Sequence, residues 1–154
     1  MAKGAYSGPE DCNCLAVRQA ARHITQFYDH WLAPSRLRTT QFSVLATLRR
    51  LGPMTINALA AEKVMDRTTL GRNIRPLERD GLIAVEQGSR DRRSKELRLT
   101  AAGEAHFRIG MKGWLKAQHR FEGAFGAGRT KEMRALLHAV AATDLATAAV
   151  SPEE

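Results

Sequence analysis

Apolar residues recur at intervals of three and four along most of this chain, and at intervals of two in one short stretch. From about Asp11 to Leu32 they fall at Val17, Ala20, Ala21, Ile24, Phe27, Tyr28 and Trp31. That is one face of a long amphipathic helix, which Pro34 ends. Thr39 or Thr40 is placed to cap a second helix carrying Phe42, Leu45 and Leu48 inward as far as the breaker pair Gly52-Pro53. Thr55 is placed to cap a short third helix with Ile56, Leu59 and Ala60 as its apolar positions, ending near Lys63. Asp66 is a good N-cap for a fourth helix, to about Asp80. Met65 and Leu70 have the spacing of a hydrophobic staple there, and Gly81 closes the helix.

The period then changes. Leu82, Ile83 and Val85 begin a strand, Gly88-Ser89 starts a turn-like loop, and residues 96–100 return, with Leu97 and Leu99 alternating with Arg98. Thr100 is placed to cap a fifth helix, although Gly103 stands where a capping box would have Glu. Phe107, Met111, Trp114, Phe121 and Phe125 keep a helical spacing until Gly126 and Gly128 break the chain. Thr130 opens a last helix with Met133, Leu136, Leu137, Val140 and Leu145 on one side. Residues 1–10 read as a loose arm and 151–154 as a tail. The pattern predicts a mainly α fold with a small β-hairpin, in a single domain over residues 11–150.

Composition narrows the function. The 154 residues are 44% apolar and 26% charged, which is the balance of a globular domain, and the formal net charge is +8. A basic domain suits a polyanion: nucleic acid first, an acidic membrane surface second. No segment approaches the roughly 18 apolar residues a membrane helix needs, and MAKGAYSGPEDC lacks the apolar run of a signal peptide. Two cysteines one residue apart are no disulfide framework. A cytoplasmic protein with no membrane partner is expected.

The positive charge is concentrated in the middle third. On the fourth helix Leu70, Ile74 and Leu77 point to the core, so Thr68, Arg72, Arg75 and Arg79 lie on the opposite side. Thr69 and Asn73 flank that face, and Arg67 in the first turn is placed for phosphate. Guanidinium groups contact guanine edges bidentately, and threonine touches phosphate or a thymine methyl. Gly71 removes bulk from this face, and Pro76 is expected to kink the helix by removing an amide hydrogen. Arg90, Arg92, Arg93 and Lys95 crowd the hairpin tip, where a narrow minor groove attracts inserted arginine. Asp91 is placed to pair with the Arg93 guanidinium and hold its direction. A reading helix followed by a basic hairpin is how a winged helix-turn-helix grips duplex DNA. The plain alternative is a solvated basic helix and a solvated turn.

Asp91-x-Arg93, followed after five residues by Leu99-Thr100-x-x-Gly103, resembles the wing signature of the MarR (multiple antibiotic resistance regulator) family. The stretch TINALAAEKVMDRTTLGRNIRPLERDGLI, residues 55–83, is similar to that family's helix-turn-helix. The resemblance covers about residues 12–148. It implies an obligate homodimer in which the first, fifth and sixth helices interlock, so that residues 11–34 and 101–150 serve dimerisation and residues 38–100 form the winged DNA-binding region. It implies a palindromic double-stranded operator as partner. Arg93 becomes the minor-groove residue of the wing tip, Asp91 its support and Thr100 the cap of the fifth helix. Arg90 stands where the family often has proline. Dimerisation also follows from the aromatic residues of the end helices, since a chain this short would struggle to bury two such termini alone. A two-fold protein matches a two-fold operator.

The signal is less legible than the target. Cys12 and Cys14 open the first helix, where a helix N-terminus favours a reactive thiolate, although Glu10 and Asp11 oppose it. Redox sensing and inert thiols both stay open. Metal binding is not expected, because no histidine or third cysteine stands nearby at ligand spacing. His23, Tyr28 and Trp31 can line a cavity for a small aromatic effector, of the kind family members bind; plain dimer packing is the alternative. No nucleophile-elbow, zinc-protease, Walker or dinucleotide motif is present, so neither an enzyme nor a cofactor is expected. The sequence reading is therefore a homodimeric transcriptional regulator, more often a repressor in this family, involved in response to stress. A non-specific winged-helix DNA-binding or interaction module is the remaining alternative.

Overall fold

The computed structural model describes residues 8–88 and 91–148. Arg90, the first seven residues of the expected arm and the 151–154 tail lie outside them. A short 3-10 turn, Pro9–Asp11, precedes helix α1 (Asn13–Leu32), which starts two residues later than its apolar pattern suggested. A second 3-10 turn, Ala33–Ser35, leads to α2 (Thr39–Leu51), β1 (Met54–Thr55), α3 (Ile56–Glu62) and α4 (Arg67–Arg79). The strands β2 (Ile83–Gln87) and β3 (Lys95–Leu99) follow, then α5 (Ala101–Phe125), α6 (Ala127–Ala142) and α7 (Leu145–Ala148). The chain divides into two compact units, residues 1–117 and 118–154.

In the first unit, the sheet is three-stranded and antiparallel, in the order β1-β3-β2. The expected hairpin is there, with Ile83 opposite Leu99 and Val85 opposite Leu97. The third strand is new: Met54 pairs with Leu97 and Thr55 with Glu96. The core beneath it is built from Leu32, Leu45, Leu59, Leu70, Leu77 and Ile83, all buried. Phe42 of α2 stacks on Phe107 of α5 with centroids 5.1 Å apart, and the Arg49 guanidinium lies over that second ring.

Capping follows local chemistry, with one tertiary exception. The Thr55 hydroxyl accepts the Ala58 amide, and the Thr100 hydroxyl accepts the Gly103 amide while donating to the Gly81 carbonyl. At α2, however, the Thr39 amide and hydroxyl both donate to Asp29 of α1, and the Gln41 side chain accepts the Arg38 amide. Burial works to raise the Asp29 pKa, but the Thr39 and Arg38 hydrogen bonds outweigh it and hold the carboxyl below its usual range. The first turn of α2 is thus tied to α1.

Glycines let α5 pack closely. A Cβ on Gly103 would lie 2.0 Å from the Leu82 carbonyl oxygen, and one on Gly113 would lie 2.2 Å from that of Trp31. This explains the departure from the capping box at Gly103: no side chain fits there.

In the second unit, Gly126 adopts φ 97° and separates α5 from α6. Gly128 does not break the chain, because α6 already starts at Ala127. Thr130 lies inside the helix, its hydroxyl donating to the Gly126 carbonyl. Leu136, Leu137, Val140 and Leu145 are exposed in the single chain.

Candidate DNA-binding groove

Helix α4 is seated by its own sequence. Asp66 accepts the Thr69 amide at 2.8 Å and the Thr69 hydroxyl, closing the first turn. Those two bonds, the hydroxyl's first, hold the Asp66 carboxyl below its usual pKa. Leu70, Ile74 and Leu77 are buried, which leaves the opposite face for solvent. Pro76 sits inside a helix that runs unbroken from Arg67 to Arg79.

Between this face and the sheet lies an open groove of about 610 Å³. Arg67, Thr68, Arg72 and Arg75 line it from α4, and Lys95 lines it from the hairpin. Among the described residues none of these four cations joins an ion pair with a carboxylate. Ile56, Val85 and Leu97 form apolar parts of the wall. An open channel with unpaired cations beside a projecting helix can take a polyanionic strand along its length.

Other residues expected at DNA are placed differently. Thr69 has its hydroxyl engaged by Asp66, and the half-buried Asn73 does not line the groove. The Arg79 guanidinium pairs with Asp80 at 2.9 Å, which raises the arginine pKa and lowers that of the aspartate. Arg92 and Arg93 are exposed in the hairpin loop, while Arg90 lies outside the described residues. Asp91 accepts the backbone amide of Arg93, at 2.9 Å, not its guanidinium. A short side chain reaches the amide two residues on more readily than the end of a long one. Asp91 therefore shapes the loop and does not engage the guanidinium.

Glu78 is the groove residue that the charge-based reading passed over. Its spacing of three from Arg75 was the available signal, hidden because cations and neutral hydroxyl or amide side chains, not carboxylates, are the expected partners of DNA on that face.

A second concavity, about 580 Å³, lies where α1 meets α5. Trp31 lines it together with His30, Ala33, Pro34, Ile109, Lys112, Gly113 and Lys116. His23 is exposed and Tyr28 half-buried, and neither lines this cleft. The Trp31 indole nitrogen is buried and has no hydrogen-bond partner among the described residues. Cys12 and Cys14 are both free and exposed, and the Cys12 sulfur accepts the Leu15 amide at 3.4 Å as the N-cap of α1. No group of three metal-ligating side chains is found among the described residues, nor any helix long and apolar enough to cross a membrane.

A three-stranded sheet, a helix-turn-helix and a cationic groove between reading helix and hairpin define a winged helix-turn-helix DNA-binding protein. Residues 37–95 match the model of the MarR family. The chain is 34% identical over 91 residues to an uncharacterized HTH-type transcriptional regulator, YwoH, of Bacillus subtilis; that match spans 59% of this chain and 66% of YwoH, just under two thirds. It is also similar to the transcriptional regulator MosR of M. tuberculosis, with 34% identity, a TM-score of 0.73, and coverage of 87% of this chain and 98% of that one. A structure of MosR in complex with DNA matches with 36% identity and a TM-score of 0.72, covering 84% of this chain and 96% of that one. BpsR of Bordetella bronchiseptica shares the fold at 22% identity and a TM-score of 0.79, covering 92% of this chain and all of that one. The chain belongs to the MarR family, and it is a DNA-binding transcriptional regulator of that type.

Proposed function

We propose that this chain works as a homodimer that reads a palindromic operator, acts as a repressor, and leaves DNA when a small aromatic effector binds. The groove formed by α4 and Lys95 carries the reading, because its four cations line one groove and have no carboxylate partner among the described residues. Arg72 and Arg75 read base edges, Arg67 and Lys95 hold phosphate, and Arg92 and Arg93 enter the adjoining minor groove. Dimerisation is supported by apolar side chains left exposed at both ends of the chain: Leu15 and Val17 on α1, and Leu136 and Val140 on α6. A second copy is the cover that a two-fold operator asks for.

The effector reading rests on the cleft beside Trp31. Its volume is within the usual range for small-molecule sites. Lys112 and Lys116 supply positive charge, while Trp31, Pro34 and Ile109 supply an apolar wall, so an aromatic carboxylate suits it. In BpsR, on the same fold, DNA binding is regulated by 6-hydroxynicotinic acid. An occupant of the cleft would shift the population of dimers away from the spacing that fits DNA.

One observation favours a second reading. Cys12 is exposed at the start of α1 with its sulfur held by the Leu15 amide, so oxidation there would disturb the cap and the helix it opens. Pairing between subunits fits better than a bridge within Cys-x-Cys, which is strained.

Selection of bound duplex from a random pool tests the function. The expected product is a palindrome with half-sites about one helical turn apart. Benzoate and peroxide, added separately, then distinguish the two signals by which of them releases that duplex. Retention of random DNA with no sequence enrichment would favour a non-specific module instead.

A further inference from the structure

Glu78 brings a negative charge into a groove otherwise furnished for a polyanion. It shares the wall with Arg67, Arg72, Arg75 and Lys95. Arg75 is one helical turn away, yet no ion pair joins them, and the Glu78 carboxylate has no partner among the described residues. Of the strand residues that line the same groove, Val85 and Leu97 bring no side-chain donor, and Lys95 makes no ion pair with Glu78. An exposed carboxylate with no partner, in a place where phosphates pass, weakens binding unless the DNA itself offers a donor.

An ionised carboxylate only accepts hydrogen bonds. In the major groove the donors on base edges are the cytosine N4 and adenine N6 amino groups. Adenine sets the N7 acceptor beside its amino group, and that lone pair repels a carboxylate. Cytosine has no acceptor exposed next to N4. Guanine and thymine present oxygen acceptors and are opposed.

We infer that Glu78 is a specificity-determining residue that reads a cytosine amino group in each half-site. The inference rests on the DNA-reading assignment of α4. Ten residues separate Thr68 from Glu78, about 15 Å along a helix axis. The cytosine is therefore a different position of the half-site from the one Thr68 meets.

The test is random-pool selection with wild-type protein, E78A and E78Q, followed by affinities on the wild-type duplex with each base pair replaced in turn. Wild type should prefer cytosine about tenfold at one position of each half-site. E78A should accept all four bases there, and bind random duplex more tightly than wild type does. E78Q should move the preference toward adenine, which glutamine contacts bidentately. Identical preferences for all three proteins at every position would overturn the inference while leaving the DNA reading intact. A wild-type protein that enriches no sequence would overturn both.

Discussion

Replacing Val64 with glycine should stabilise the protein, although it removes a side chain. Val64 occupies the turn between α3 and α4 with φ 51°, in the left-handed region. Its amide donates to the Ala61 carbonyl and the next amide to that of Ala60, so the turn is held by hydrogen bonds on both sides. L-residues pay about 1–2 kcal/mol for left-handed backbone, and a β-branched residue is among the least suited. The side chain is 75% exposed, so truncation forfeits little burial. Against the relief stands the greater freedom of glycine in the unfolded chain, roughly 0.5–1 kcal/mol. The balance favours glycine by up to about 1.5 kcal/mol, equivalent to at most about 3–6 °C in Tm for a chain of this length. Urea denaturation followed by circular dichroism measures it, at one fixed protein concentration for all variants, since self-association makes a midpoint depend on concentration. Val64→Ala is the control: it removes the β-branch but keeps the left-handed strain, and should gain less. A Val64→Gly protein less stable than Val64→Ala would mean instead that the side chain contributes more than the left-handed backbone costs.

Gly113→Ala should destabilise by about 1–3 kcal/mol in the same denaturation assay, because the new methyl meets the Trp31 carbonyl in a backbone contact that cannot turn aside. Asp29 has a depressed pKa in the folded protein. Its contribution is therefore present above the unfolded carboxyl pKa of about 3.9 and is lost as pH falls through the lower folded value. Asp29→Asn should flatten the acid limb of a stability–pH curve below about pH 4, and an unchanged limb would remove Asp29 from the account. Lys95→Ala should weaken binding to operator and random duplex by similar factors and reduce the salt slope by about 1. A loss confined to the operator would make Lys95 a base reader.

Helix α4 was legible because three local signals agree: the Asp66 cap, the buried Leu70-Ile74-Leu77 stripe and the Gly81 stop. Strand β1 was not, because two residues carry no period and owe their extended state to Leu97 and Glu96, some forty residues away. Capping of α2 by Asp29 is invisible for the same reason: a contact made across ten residues between two helices leaves no local pattern. At the site, helical spacing correctly separated the exposed side of α4 from its core. It could not show that the Thr69 hydroxyl is held by Asp66, that Arg79 is paired with its neighbour, or that Asp91 bonds an amide instead of a guanidinium. Each of these depends on competition between nearby donors, which sequence position alone does not resolve. Glu78 shows the converse error, since a face read for cations and neutral donors overlooks the carboxylate among them.

The cations of α4 and those of the hairpin loop should hold one duplex together. Fluorescence anisotropy of the selected duplex with wild-type protein, Arg72→Ala and Arg93→Ala, over a range of salt concentrations, decides it. Wild-type affinity should fall steeply with salt, and each variant should bind about tenfold or more weakly, with Arg72→Ala relaxing base preference at one position. Wild-type affinity in both variants, at every salt concentration, would contradict it.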